Sequence, residues 1–122
     1  KKEFNNNHYK VGLFLTNAGM AQAMLGEYQK AYKALKESLR ILIFNLGVQH
    51  IEVADCYANL GDVCMKLLVE TRSKDKVSEA TKYYKQASEI SKKVLGEQHT
   101  KCQQYASLLF ICENYHSLAT GN

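Results

Sequence analysis

Two cysteine–histidine pairs near the end of the chain have the spacing of metal ligands. His99 precedes Cys102 by three residues, and Cys112 precedes His116 by four. If this segment is one helix, the ten residues between the two cysteines span about 15 Å, because each residue adds about 1.5 Å. Zinc ligands lie about 2.0 to 2.3 Å from the metal, so a single ion cannot join the two pairs. We therefore expect no metal site.

No other group of reactive residues has the spacing that catalysis requires. The sequence contains no glycine-rich phosphate loop, no nucleophile elbow and no zinc-protease motif. Acidic pairs such as Glu52 and Asp55 fall on predicted helix surfaces, and nothing in the sequence sets them in a cleft. We therefore expect a protein that is not an enzyme, with no catalytic residue and no cofactor.

The composition predicts a single soluble domain, residues 1–122, built of long helices. The chain has no proline and only seven glycines, and these two residues are the strongest breakers of helices. No run of about eighteen apolar residues is long enough to span a bilayer, and no signal peptide is evident at the start. The four cysteines fall on predicted helices, so we interpret them as reduced core thiols. We expect a cytoplasmic protein.

Internal repeats specify how these helices are arranged. Three pairs of identical residues are separated by 49 positions: Ala31 with Ala80, Gly47 with Gly96, and His50 with His99. The segment upstream repeats at 42 positions instead, since Asn-Ala-Gly at 17–19 matches Asn-Leu-Gly at 59–61. The difference of seven predicts an insertion near 70–76 that lengthens a surface turn. The units are repeat 1 at about 9–50, repeat 2 at about 51–99 and a terminal helix at about 100–118.

Apolar and small residues at helical spacing divide each unit into two helices. The predicted helices lie near 9–25, 28–45, 51–69, 77–94 and 100–118. Gly19 and Gly61 allow the two helices of a pair to approach closely, and the large residues Leu35 and Tyr84 should fill the space beside them. Phe110 takes the place of these glycines in the terminal helix, which predicts that no partner helix packs closely there.

These features resemble a known family. The small and large residues at these spacings are similar to the tetratricopeptide repeat, and Leu-Gly-x-x-His, at 46–50 and 95–99, is similar to the end of its 42-residue kinesin-light-chain form. The clustered-mitochondria family carries similar units. The resemblance covers about residues 9–118. It implies an all-α solenoid in which helix pairs stack into a right-handed superhelix, with the first helix of each pair lining the concave face.

The resemblance also implies where a ligand would bind. The residues beside the packing stripe of each first helix should line the concave groove: Leu13, Thr16, Asn17, Met20, Met24, Asp55, Ala58, Asn59, Asp62 and Lys66. Asn17 and Asn59 occupy the same repeat position, where an asparagine in similar repeats bonds the backbone of an extended peptide. Thr16 and Ala58 stand where a carboxylate-clamp lysine would be, so we expect an internal peptide segment that is partly apolar and partly charged.

Charge does not favour nucleic acid or a membrane as the partner. Sixteen basic and twelve acidic residues give a formal net charge of +4, well short of a dense basic cluster. A basic stripe on the second helices is interrupted by glutamates and is interpreted as a solvated face; it consists of Lys33, Lys36, Arg40, Lys82, Lys85 and Lys92. The sequence does not indicate an oligomeric state.

The leading hypothesis is a non-catalytic adaptor or scaffold that binds a peptide or a partner helix in its groove. The alternative is a structural or regulatory helical domain that packs against other domains of a larger parent protein, with an enzyme as one kind of parent. Binding of nucleic acid or lipid through the basic stripe is the third and least favoured hypothesis.

Overall fold

Five α-helices account for nearly all of the residues that the structure describes. The computed structural model describes the backbone of residues 2–119 and the side chains of residues 9–115. The helices are α1 (Lys2–Met24), α2 (Tyr28–Leu46), α3 (Ile51–Thr71), α4 (Asp75–Leu95) and α5 (Thr100–Ala119). The described residues contain no strand. The predicted all-α class and the number of helices are confirmed. α1 begins earlier than expected because nothing between Lys2 and Tyr9 interrupts a helix.

Adjacent helices pack as hairpins. α1 packs against α2 and α3 packs against α4, each pair joined by a turn of three residues, 25–27 and 72–74. The second helix of each pair also contacts the next first helix, so that α2 packs on α3 and α4 packs on α5. No helix of the described chain is both long and apolar enough to cross a membrane.

The junctions after α2 and α4 are built from the repeated glycine and histidine. Gly47 and Gly96 have φ of 82° and 91°, a region that favours glycine, and they follow the last residues of α2 and α4. His50 Nδ1 then accepts a hydrogen bond from the backbone N–H of Glu52 at 3.0 Å. His99 Nδ1 accepts one from Lys101 N–H at 3.1 Å. Both histidines therefore cap the following helix, which explains their recurrence.

The small residues bring the paired helices together as expected. A Cβ on Gly19 would lie 2.9 Å from Leu35 Cγ, and a Cβ on Gly61 would lie 2.6 Å from Tyr84 Cε1. Leu35 and Tyr84 are both buried, so each fills the space that its glycine leaves. Phe110, at the matching position of α5, is exposed, and none of the described helices covers it.

The sequence predicts that the seven-residue insertion lengthens a turn. In the structure the inserted residues form helix instead. α3 continues ten residues past Gly61, whereas α1 continues five past Gly19. α4 begins five residues before Ala80, whereas α2 begins three before Ala31. The inserted residues therefore lengthen both helices and leave the turn unchanged at three residues. Without glycine or proline in the segment, nothing prevents helix there.

Buried side chains on both sides of the turn hold this extension in place. Leu68 and Val77 are buried together with Cys64 and Cys112 in one apolar cluster. Arg72 ends α3 in the left-handed region, at φ 58°, and its N–H bonds to Leu68 O at 2.7 Å. The extension is therefore a packed part of the hairpin, and only residues 72–74 form the turn between α3 and α4.

Candidate functional site

α5 lies alongside α3 and is bonded to it through Asp55. Lys101 Nζ lies 2.8 Å from Asp55 Oδ2, and the Tyr105 hydroxyl donates a hydrogen bond to Asp55 Oδ1. Burial and the bond to Asp55 together raise the pKa of Tyr105 above its ordinary value, so the phenol stays protonated and keeps donating. These contacts fix the first helix of the second hairpin beside the terminal helix.

A groove of about 540 Å³ lies between α3 and α5. Its lining residues are Ala58, Asn59, Asp62, Thr100, Gln103, Gln104, Tyr105, Ser107 and Leu108. Most of these side chains are neutral and carry an amide or a hydroxyl, which can donate and accept hydrogen bonds. The groove is therefore suited to a ligand whose own polar groups are unpaired, such as an extended peptide backbone.

Asp62 is the one carboxylate among the lining residues. It is exposed at the mouth of the groove, while its Oδ1 accepts a hydrogen bond from the Tyr84 hydroxyl at 2.6 Å. The protein atoms around the carboxylate exclude water from it and so raise the pKa of Asp62. The hydrogen bond from Tyr84 and the charge of Lys66 both lower that pKa, but their effect is smaller and the pKa is raised overall. The buried ring of Tyr84 thus connects the core of the α3–α4 hairpin to the groove.

The groove brings together three of the ten residues that the sequence predicts as ligand-binding: Ala58, Asn59 and Asp62. Asp55 lies next to it and is bonded to Lys101 and Tyr105, which leaves its carboxylate little capacity for a ligand. Lys66, also predicted, is exposed beyond Asp62 on the same helix.

The five predicted residues on α1 lie apart from this groove. Leu13 and Met20 are half-buried against the main core, and Asn17 and Met24 are exposed. Thr16 is directed into the helix packing, where its Oγ1 lies 2.6 Å from Ser38 Oγ. Thr16 also donates to Gly12 O at 3.2 Å.

Sequence reasoning missed the contribution of α5, although the repeat contained the signal. The offset of 49 positions relates Ala31 to Ala80. The same offset relates Asp55, Ala58 and Asn59 of α3 to Gln104, Ser107 and Leu108 of α5. All three of the latter line the groove. Extending the lining stripe to the terminal helix would have identified them.

The described residues hold no arrangement suited to metal binding or thiol chemistry. No three His, Cys, Asp or Glu side chains among them lie together as a metal site would require. The four cysteines, all within this part of the chain, are buried and form no disulfide. Burial raises the pKa of Cys56 to about 11 and that of Cys64 to about 12, so both thiols are protonated at neutral pH and poorly nucleophilic.

The basic stripe on α2 and α4 is partly neutralised by neighbouring carboxylates. Arg40 is paired with Glu37, and Lys92 lies 3.0 Å from Glu97. The ammonium of Lys36 lies about 6 Å from the Tyr32 and Tyr83 ring centroids, at 5.9 and 6.0 Å. Two of the six cations of the stripe are therefore paired with a carboxylate among the described side chains.

Glu79 links α2 to α4 on the same face. The carboxylate accepts hydrogen bonds from the hydroxyls of Tyr32 and Tyr83 and lies 3.2 Å from Lys76 Nζ. Burial acts to raise the pKa of Glu79, but the bonds from Tyr32, Lys76 and Tyr83 outweigh it and lower the pKa overall. This cluster joins the second helices of the two hairpins.

Comparison with known proteins gives no family assignment. No protein-family model matches the chain, and no curated protein matches it significantly.

Proposed function

We propose that this chain is a non-catalytic protein-interaction module that holds an extended peptide segment in the groove between α3 and α5. The observation that carries the proposal is the lining of that groove. Asn59 of α3 faces the amides and hydroxyls of α5, including Gln103, Gln104 and Ser107. Unpaired groups of this kind match the backbone of an extended chain, which offers one donor and one acceptor per residue.

The repeat pattern supports a tetratricopeptide domain of the kinesin-light-chain form, working as a cytoplasmic adaptor or scaffold. Two successive helix hairpins, each with a glycine of the first helix, Gly19 or Gly61, packed directly against a large side chain of the second, agree with that proposal. In such a domain successive first helices line a common face, and the groove between α3 and α5 joins two of them. Asn17, exposed on α1 at the position of Asn59, would extend this face toward the first hairpin.

Selection of peptides from a random displayed library, followed by mapping with amide chemical shifts, tests the proposal. The expected result is a peptide that shifts the amides of 58–62 and 103–108 and leaves those of 33–40 and 82–93 unchanged. Peptides that shift only the outer residues of α2 and α4 would overturn the groove assignment. Failure to select any binding peptide would also count against it.

A second candidate, a structural domain that packs against another polypeptide, is supported by one face of α1. Val11 and Phe14 of α1 are 45 and 69% exposed, and Leu25, the first residue after the helix, is 77% exposed. Their counterparts 42 positions later, Val53, Cys56 and Leu67, are fully buried. On α3 this stripe packs toward α2, so its exposure on α1 leaves a surface suited to a further amphipathic helix.

Site-specific photo-crosslinking separates the two candidates. A benzoylphenylalanine at Gln103 reports on the groove, and the same residue at Phe14 reports on the α1 stripe. Specific crosslinks from position 103 that a selected peptide abolishes favour the peptide-binding module. Crosslinks that arise only from position 14, and that the peptide does not change, favour the packing domain.

A further inference from the structure

The extension of the α3–α4 hairpin forms a second surface, distinct from the groove. The five additional residues of α3 carry its end about 7.5 Å further along the helix axis, at about 1.5 Å per residue. The extended tip lies beside the last turns of α5. Between them is a cleft of about 390 Å³ lined by Leu68, Val69, Arg72, Lys74, Val77 and Tyr115. None of these residues lines the groove.

Two apolar or aromatic side chains of the cleft are exposed to solvent. Val69 is 73% exposed and Tyr115 is 43% exposed, while Leu68 and Val77 form a buried floor. An apolar side chain that enters the cleft would remove this surface from water, at about 25 cal/mol for each Å² buried. The cleft is therefore suited to one aliphatic or aromatic side chain of a partner.

Two cations border the apolar floor. Arg72 and Lys74 are both exposed in the three-residue turn. Neither forms an ion pair with any side chain that the structure describes. Lys76, two residues after Lys74, is by contrast bound to Glu79. The exposed carboxylates Glu70 and Asp75 lie in the same segment, but the only charged residues that line the cleft are Arg72 and Lys74, so these two cations are available to an external carboxylate.

We propose that the tip of the α3–α4 hairpin binds an acidic segment of a partner protein that carries an apolar side chain between its carboxylates. The apolar side chain occupies the cleft between Val69 and Tyr115. The flanking carboxylates pair with Arg72 and Lys74, the first of which offers a planar fork that matches a carboxylate. Charge complementarity at the rim gives orientation and faster association.

Fluorescence anisotropy with a defined peptide tests the site. The probe is a fluorescein-labelled twelve-residue peptide with a central leucine flanked by glutamates. Arg72→Glu with Lys74→Glu should weaken its binding at least about tenfold, the loss of roughly 1.4 kcal/mol. The matched control is Lys85→Glu with Lys93→Glu, which makes the same charge change at exposed residues of α4 and should alter binding less than about twofold. Circular dichroism verifies that both variants fold.

Four further measurements decide the outcome. Val69→Asp should weaken the peptide strongly, and replacing the central leucine of the probe by glycine should do the same. Equal weakening by the control variant would show a general response to charge and overturn the site. Binding of a lysine-flanked probe as tightly as the glutamate-flanked one would also overturn it. Tip-dependent binding to phosphatidylserine vesicles, without binding to the peptide, would assign the surface to lipid and not to an acidic protein segment.

Discussion

Tyr84 donates its hydroxyl hydrogen bond to Asp62 Oδ1 across 2.6 Å, while its ring packs against Gly61. One side chain of α4 therefore closes the α3–α4 hairpin and also holds the single carboxylate of the groove. Burial and the Asp62 bond raise the pKa of Tyr84 above its ordinary value, so the hydroxyl remains a donor. The groove is built on a rigid part of the fold.

Gly61→Ala should destabilise the domain. The new Cβ would lie 2.6 Å from Tyr84 Cε1, and a buried aromatic ring has little freedom to move. Overpacking of this kind costs about 1–3 kcal/mol, although alanine is otherwise favoured over glycine in a helix by about 1 kcal/mol. Urea denaturation measures the change. Ser78→Ala, at an exposed position of α4, should stay within about 0.5 kcal/mol of the original chain. A midpoint that Gly61→Ala leaves equal or higher would contradict this packing.

Glu79→Gln should weaken the link between α2 and α4. Hydrogen bonds to a charged group contribute about 1.5–3 kcal/mol and those to a neutral group about 0.5–1.5, so we expect a loss of about 1–2 kcal/mol at pH 7. Because the folded pKa of Glu79 is lowered, its charge stabilises the fold above the ordinary glutamate pKa of about 4.3. That contribution is lost as pH falls through the lower folded pKa.

Denaturation at a series of pH values tests the Glu79 prediction. The difference between the original chain and Glu79→Gln should be constant near neutral pH and shrink in acid. Glu89→Gln removes an exposed carboxylate from the same helix and should have almost no effect at any pH. A Glu79 difference that does not depend on pH would show that the carboxylate charge is not what holds the two helices together.

Asp62→Asn should leave stability at pH 7 unchanged or slightly higher. The folded pKa of Asp62 is raised, so its ionisation favours the unfolded chain as pH rises through the range between the ordinary aspartate pKa, about 3.9, and the folded one. Asparagine keeps an acceptor for Tyr84 without that cost. Thermal denaturation of the original chain and of Asp62→Asn at pH 3 and at pH 7 measures how the stability difference between them depends on pH. Marked destabilisation at pH 7 would mean that Asp62 is a structural residue.

The helix packing was predictable because the repeat supplies two independent copies of each position. Gly19 packs against Leu35, and Gly61 packs against Tyr84 at the matching position of the second repeat, so the sequence contains the same contact twice. The conformation of the insertion was not predictable in this way, because an offset of seven gives the number of residues and not their structure. Two lengthened helices and a longer turn have the same offset.

The candidate groove was only partly predictable. Asn59 and Asp62 follow from the repeat register, but the bonds of Asp55 do not, because Lys101 and Tyr105 lie 46 and 50 residues away. Thr16 also shows the limit of a helical stripe. Its position beside the packing face is compatible with a side chain in the groove or in the helix interface. In the structure its hydroxyl is hydrogen-bonded to that of Ser38 inside the hairpin.

Calorimetry with a library-selected peptide tests the central claim, groove binding, most directly. Asn59→Ala with Gln103→Ala, both in the lining of the groove, should weaken the peptide by about 1–3 kcal/mol, because its backbone groups lose their partners, and the melting temperature should not change. Lys33→Ala with Lys85→Ala, at exposed residues of α2 and α4, should leave the affinity unchanged. The reverse ranking would place the binding site on the outer face of the second helices and contradict the account.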